Sequence, residues 1–262
     1  MKRVHSLTHI AAVGSLTILL SVGFSNAMRY EAVKKLVPQT HSLIEGAKAD
    51  ERESNQLALI VDDSNYPDAE APLDQTAHDA TGLAAALNGK GFSVDLLANG
   101  TRAQTLAATE RLKAKVRPGS TVLVYFRGYA IQSRGKNYMI PVDAKIWDEA
   151  DVRHEGLSID ELLSTLKALG AHTRLVAIDA SRRNPYERRF RSYSHGLAPI
   201  QPSEAEAILT SAAPNVVVDD FDELKSRFMA TLVQQISSST RPIAEIFEKT
   251  SMAWAAALRT AK

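Results

Sequence analysis

The chain has 262 residues, 45% hydrophobic and 23% charged, enough for one sizeable core and too ordinary for a disordered or fibrous protein. A net charge of +1 gives no electrostatic reason to expect nucleic acid or an anionic membrane as a partner. The absence of cysteine excludes disulfides, thiolate metal sites and any thiol nucleophile.

The N-terminus reads as an export signal. Lys2 and Arg3 form a short positive region, residues 10–24 are mostly apolar, and Ser25-Asn26-Ala27 resembles a small-residue cleavage site. Residues 1–27 are therefore expected to be a signal peptide, and the mature protein to be periplasmic or secreted. The apolar run is shorter than the ~20 residues a spanning helix needs. An uncleaved N-terminal anchor is the alternative, and no other membrane contact is expected. Residues 28–55 are charged, lack a strong period and read as a spacer.

A continuous apolar run at 57–61 reads as a central strand. Asp62-Asp63-Ser64-Asn65 lacks the glycine of a calcium loop and reads as a strand-end turn. Residues 76–88 carry apolar side chains at helical spacing, closed by Gly89 and Gly91. Residues 92–98 alternate as a second strand. Asn99-Gly100 is a turn, and Thr101 caps a helix to about residue 116. Asn99-Gly100-Thr101 is also a glycosylation triplet, but the turn and cap account for it. Pro118-Gly119 turns into a strand at 121–126, and 131–140 forms a hairpin with Arg134-Gly135 near its tip. Ser158 and Glu161 have the spacing of a capping box. A strand at 174–178, an arginine-rich loop, a strand at 206–210 and helices at 221–236 and 242–258 follow. Strands alternating with helices imply an α/β fold whose mostly parallel sheet is covered on both faces.

Such sheets place reactive side chains at the carboxyl ends of their strands. Two segments sit there: Tyr125-Phe126-Arg127-Gly128-Tyr129-Ala130 and Ile178-Asp179-Ala180-Ser181-Arg182. Together they resemble the caspase and metacaspase peptidases of the C14 clan, whose segments read aromatic-aromatic-Ser-Gly-His-Gly and Asp-Ala-Cys-Arg. Five further segments match in order. They are the strand and loop from Leu57 to Pro67, His78-Asp79-Ala80, Asn137-Tyr138-Met139-Ile140-Pro141-Val142-Asp143-Ala144, Arg183-Asn184-Pro185-Tyr186 and Gly196-Leu197-Ala198-Pro199. The resemblance runs from about Gln56 to about Ala257. It implies a caspase-like three-layer sandwich occupying 56–262. The family usually ends on a strand after its last helix, whereas residues 254–260 here remain helical in character, so that strand is expected to be absent.

In this resemblance Tyr129 stands in the histidine position and Ser181 in the cysteine position, a degenerate dyad. A cysteine peptidase needs a thiolate to attack and an imidazolium to protonate the leaving amine. Serine is a poor nucleophile without a base, and a phenol with a pKa near ~10 is a poor base at neutral pH. Ala130 replaces the glycine beside the oxyanion amides; it keeps the amide, while its Cβ restricts the backbone. His78 is the nearest candidate for another base, with His154, His172 and His195 read in loops or at a strand start. Arg153-His154-Glu155 lacks the spacing of a metal site, and no Gly-rich phosphate loop follows the first strand. No metal or cofactor is expected.

The resemblance also implies a pocket. In metacaspases the aspartate before the catalytic dipeptide and the one in the first-helix motif receive the substrate's arginine or lysine. Asp179 and Asp79 match those positions, and two carboxylates in one cleft suit a guanidinium. The plainer alternative is that Asp179 caps a strand end and Asp79 caps its helix. The loop carrying Arg182, Arg183, Arg188, Arg189 and Arg191 is either a solvated face, a patch for an acidic partner, or the source of an arginine that fills the chain's own acidic pocket. The expected function is that of an exported, non-catalytic homologue binding basic peptide segments or a protein partner. The rivals are a hydrolase using Ser181 with an unrecognised base, and a structural module with a vestigial cleft.

Overall fold

The computed structural model describes residues 55–67, 73, 80–180, 184–186, 189, 196–217 and 223–260, with backbone only at 223–227, 255 and 257–260. The expected signal peptide and almost all of the spacer lie outside the described residues.

Five parallel strands form the central sheet: β1 (Gln56–Asp62), β2 (Ser93–Ala98), β3 (Thr121–Arg127), β7 (Thr173–Asp179) and β8 (Glu206–Thr210), in the order β2–β1–β3–β7–β8. The three middle strands are apolar on both faces, as a sheet covered twice requires. Ala58, Ile60, Leu123, Tyr125, Leu175 and Ala177 pack with α1 (Ala80–Gly89), α5 (Glu223–Ser238) and α6 (Ile243–Thr260). The alternate residues, such as Leu59, Val61, Phe126 and Ile178, pack with α2 (Arg102–Lys115) and α4 (Ile159–Ala168). The result is the expected three-layer sandwich.

A small antiparallel sheet, β4 (Tyr129–Ser133), β5 (Lys136–Ile140) and β6 (Leu157–Ser158), follows β3. Arg134 (φ 51°) and Gly135 (φ 76°) form the two-residue turn of its hairpin, where both central residues need positive φ. The hairpin starts two residues earlier than its apolar pattern predicts, at Tyr129. Tyr66, Tyr129, Ile131, Tyr138, Ile146 and Tyr186 belong to a separate apolar cluster built around this sheet.

Local chemistry sets the helix ends. Thr101 Oγ1 accepts from Gln104 N (3.3 Å) and Gln104 Oε1 accepts from Thr101 N (2.9 Å), a full capping box for α2. Ser158 Oγ accepts from Glu161 N (3.2 Å), but Glu161 lies near Lys136 Nζ (4.0 Å), so only half of the expected box forms on α4. The sequence pattern does not predict α3 (Glu149–Glu155), which Asp148 caps through the amides of Ala150 and Asp151. His154, expected in a loop, lies on this helix. The last helix runs to Thr260; among the described residues no strand follows it, and β8 is the sheet edge.

Candidate functional site

The carboxyl edge of the sheet gathers the ends of β1, β3 and β7. The register aligns Asp62, Arg127 and Asp179 across three adjacent strands. Asp63 N donates to Arg127 O (2.9 Å) and Gly128 N to Asp179 O (3.5 Å), so the chain turns out of the sheet at the same level on each strand. Arg127 Nη1 pairs with Asp62 Oδ1 at 2.8 Å, and both side chains are largely buried.

Gly128 leaves β3 at φ 155°, and a Cβ there would collide with the Tyr66 hydroxyl and lie 2.8 Å from Phe126 Cζ. This is the glycine of the motif whose geometry no other residue meets. Tyr129 follows, buried, with its ring edge-on to Tyr66 at a centroid distance of 4.8 Å. The Tyr66 hydroxyl accepts from Tyr129 N (3.0 Å) and donates to Ile140 O (2.9 Å), bridging the first pair of the hairpin. Tyr129, expected in the histidine position, is thus packed against Tyr66. Ala130 lies in β4 opposite Met139, is not among the residues with positive φ, and buries its methyl against the α2–α4 side of the sheet.

Asp63 is the unexpected member. It is fully buried one residue beyond β1, where its Oδ1 accepts from Gly100 N at 2.7 Å. Burial pushes its carboxyl from 3.8 up to about 7; the Gly100 amide opposes this, while the charges of Asp62 and Asp143 reinforce it. Asn99 Oδ1 reciprocates by accepting from Ser64 N (2.9 Å) and Asn65 N (2.8 Å). The strand-end turn expected at 62–65 is not found; Asp63 and Ser64 are buried there and Asn65 is exposed. Two adjacent aspartates read as solvated, so no sequence signal marks that burial.

Asp179 ends β7 and is fully buried. Ser181 and Asp79 lie outside the described residues, as do Arg182, Arg183, Arg188, Arg191, His78 and His195. Arg189 donates to Ile146 O (2.8 Å) and lies over Trp147 (4.7 Å to the ring centroid) and Tyr186 (5.3 Å). Arg189 itself is thus held against the segment after β5. His154 is exposed and contacts Glu155 (3.0 Å). His172 precedes β7 at the amino edge, and seven strand residues, ~20 Å, separate it from the carboxyl edge. His172 is therefore not placed to serve as a base there. Among the described residues no cluster of histidine and acidic side chains could hold a metal, and no helix is long and apolar enough to cross a membrane.

Side chains also tie together segments distant in the chain. Asn137 Nδ2 donates to Ala198 O (3.0 Å) and its Oδ1 accepts from Ala198 N (2.8 Å). Asp143 Oδ1 accepts from Arg102 N at the start of α2 (2.7 Å).

The profile of the caspase domain of peptidase family C14 matches residues 55–259. Among solved structures, the crystal structure of the Drosophila initiator caspase Dronc is similar in fold, with a TM-score of 0.53 and 13% identity, covering 79% of this chain and 75% of that one. No curated protein matches by sequence.

Proposed function

The chain belongs to the caspase-domain family of C14 peptidases, and from that premise we propose that it is a non-catalytic member, exported from the cytoplasm, that acts by binding basic peptide segments or a protein partner. One observation carries the reading: there is no cysteine anywhere in the chain, and the residue in the histidine position, Tyr129, is buried in a tyrosine pair. A hydrolase of this family with no thiol and no imidazole at the dyad positions has lost both the attacking group and the acid for the leaving amine. Removing a single member of a catalytic triad costs on the order of 10⁴-fold or more.

Binding does not need the dyad. Asp179 supplies a carboxylate at the carboxyl edge, and Asp79, immediately before α1 in the sequence, is the second residue the resemblance assigns to a pocket for arginine or lysine. A charge-assisted, bidentate contact is worth ~1.5–3 kcal/mol, roughly a 10–150-fold preference over an uncharged isostere. Calorimetric titration with an arginyl peptide and its norleucyl counterpart tests this. The arginyl peptide is expected to bind more tightly, and Asp179→Asn to remove the difference with little change in melting temperature. Equal affinities in the parent protein would end the pocket reading. A drop in stability without a change in binding would mark Asp179 as a strand-end cap. Export rests on Lys2, Arg3, the apolar run and Ser25-Asn26-Ala27; N-terminal sequencing should find a mature chain beginning near Met28, and a soluble cytoplasmic product starting at Met1 would contradict it.

A further inference from the structure

The arginine-rich loop is one place to look for an arginine that fills the acidic cleft. The register points to a different residue. Arg127 is the last residue of β3, and its partners on the neighbouring strands are Asp62 and Asp179. In-register neighbours of a parallel sheet project from the same face, so the three side chains share one face at adjacent strands, ~4.8 Å apart. Two residues earlier that face carries Ile60, Tyr125 and Ala177, which pack against α1, the helix that begins directly after Asp79. The Arg127 side chain is 3% exposed and Asp62 14%, with 2.8 Å between their charged atoms. A guanidinium therefore already lies on the face where the pocket reading places a ligand's guanidinium. The motif that this segment resembles has serine at this position, which is too short to reach across the strand.

We propose that Arg127 is a built-in occupant of the acidic cleft, holding on the Asp62–Asp179 face the place that a ligand's arginine or lysine would take. A basic ligand must then displace or share with an internal competitor whose attachment to the chain gives it a high effective concentration. The parent protein binds such ligands weakly while still preferring them to an uncharged isostere, and a movement that withdraws Arg127 would strengthen binding. This rests on the pocket reading given above, and the experiment separates the two.

Calorimetry with acetyl-arginine amide, and with acetyl-norleucine amide as the uncharged probe, is carried out on the full chain, on Arg127→Ser and on the double variant Asp62→Asn with Arg127→Ser. The single variant leaves Asp62 without its partner and is the one that risks misfolding. The double variant removes both halves of the ion pair and keeps Asp179. Both variants are expected to bind the arginyl probe about tenfold or more tightly than the parent, with no gain for the norleucyl probe. Adding Asp179→Asn to the double variant should abolish the gain. If parent and variants bind the arginyl probe equally and in preference to the norleucyl one, the pocket stands and Arg127 is not its occupant. If no form prefers the arginyl probe, the occupant and the pocket both fall. A gain that survives Asp179→Asn also overturns the proposal, because the new site would not involve that face.

Discussion

Replacing Asp63 by asparagine tests whether the carboxyl edge stores a proton. The folded carboxyl titrates at about 7, against an ordinary 3.8. Between those values the folded chain keeps a proton that the unfolded chain has released, so stability falls as the pH rises from about 4 to about 7 and is level above that. The difference between the two values corresponds to an upper limit of ~4 kcal/mol. Asparagine keeps the oxygen that accepts from Gly100 N (2.7 Å) and never ionises. Its amide nitrogen takes the place of Oδ2, which has no hydrogen-bond partner among the described residues, at a cost of ~1–3 kcal/mol that does not depend on pH. Asp63→Asn should therefore be less stable than the parent near pH 4 and more stable above pH 8, the two curves crossing between. The swing of up to ~4 kcal/mol corresponds to roughly 8–16 °C in melting temperature for a domain of this size. Thermal melts of both proteins at closely spaced pH values read it directly. A difference that stays constant with pH would refute the reasoning, and one of opposite slope would show that the buried carboxyl is held ionised.

Tyr66→Phe removes the hydroxyl that bridges Tyr129 N and Ile140 O, and should cost ~2–4 kcal/mol by leaving two buried backbone groups without their partner; faster hydrogen exchange at the Tyr129 amide distinguishes this from a general loss of packing. Gly128→Ala should destabilise by ~3 kcal/mol or more, through both the φ of 155° and the collision with Tyr66, whereas Ala130→Gly should cost only ~1 kcal/mol. Denaturant melts compare the two, and similar losses at both sites would show that the strain does not sit at Gly128.

The parts of this chain that could be read in advance are those where one physical rule acts locally. The strands at 57–61, 121–126 and 174–178 announce themselves because burial on both faces requires unbroken apolar runs. Thr101 is legible as a cap because the orphan amides of α2 need a nearby acceptor, and Arg134-Gly135 as a turn because a tight hairpin needs positive φ. The short helix Glu149–Glu155 escapes because it buries only Val152 and shows no apolar stripe; Asp148 and Asp151, capping each other, were its one cue. Asp63 and Arg127 escape for a different reason. A charge at or just beyond a strand end looks solvated until the fold supplies its neighbours: Gly100 reaches Asp63 from 37 residues away, and Asp62 and Arg127 are 65 residues apart in the chain.

Turnover by the purified chain bears most directly on a family member that has no cysteine. With arginyl and lysyl peptide reporters, in the presence and absence of calcium, the expected result is no specific hydrolysis and no difference between the parent and Ser181→Ala. Saturable turnover that Ser181→Ala abolishes, with the melting temperature unchanged, would contradict the account and establish the serine as a working nucleophile.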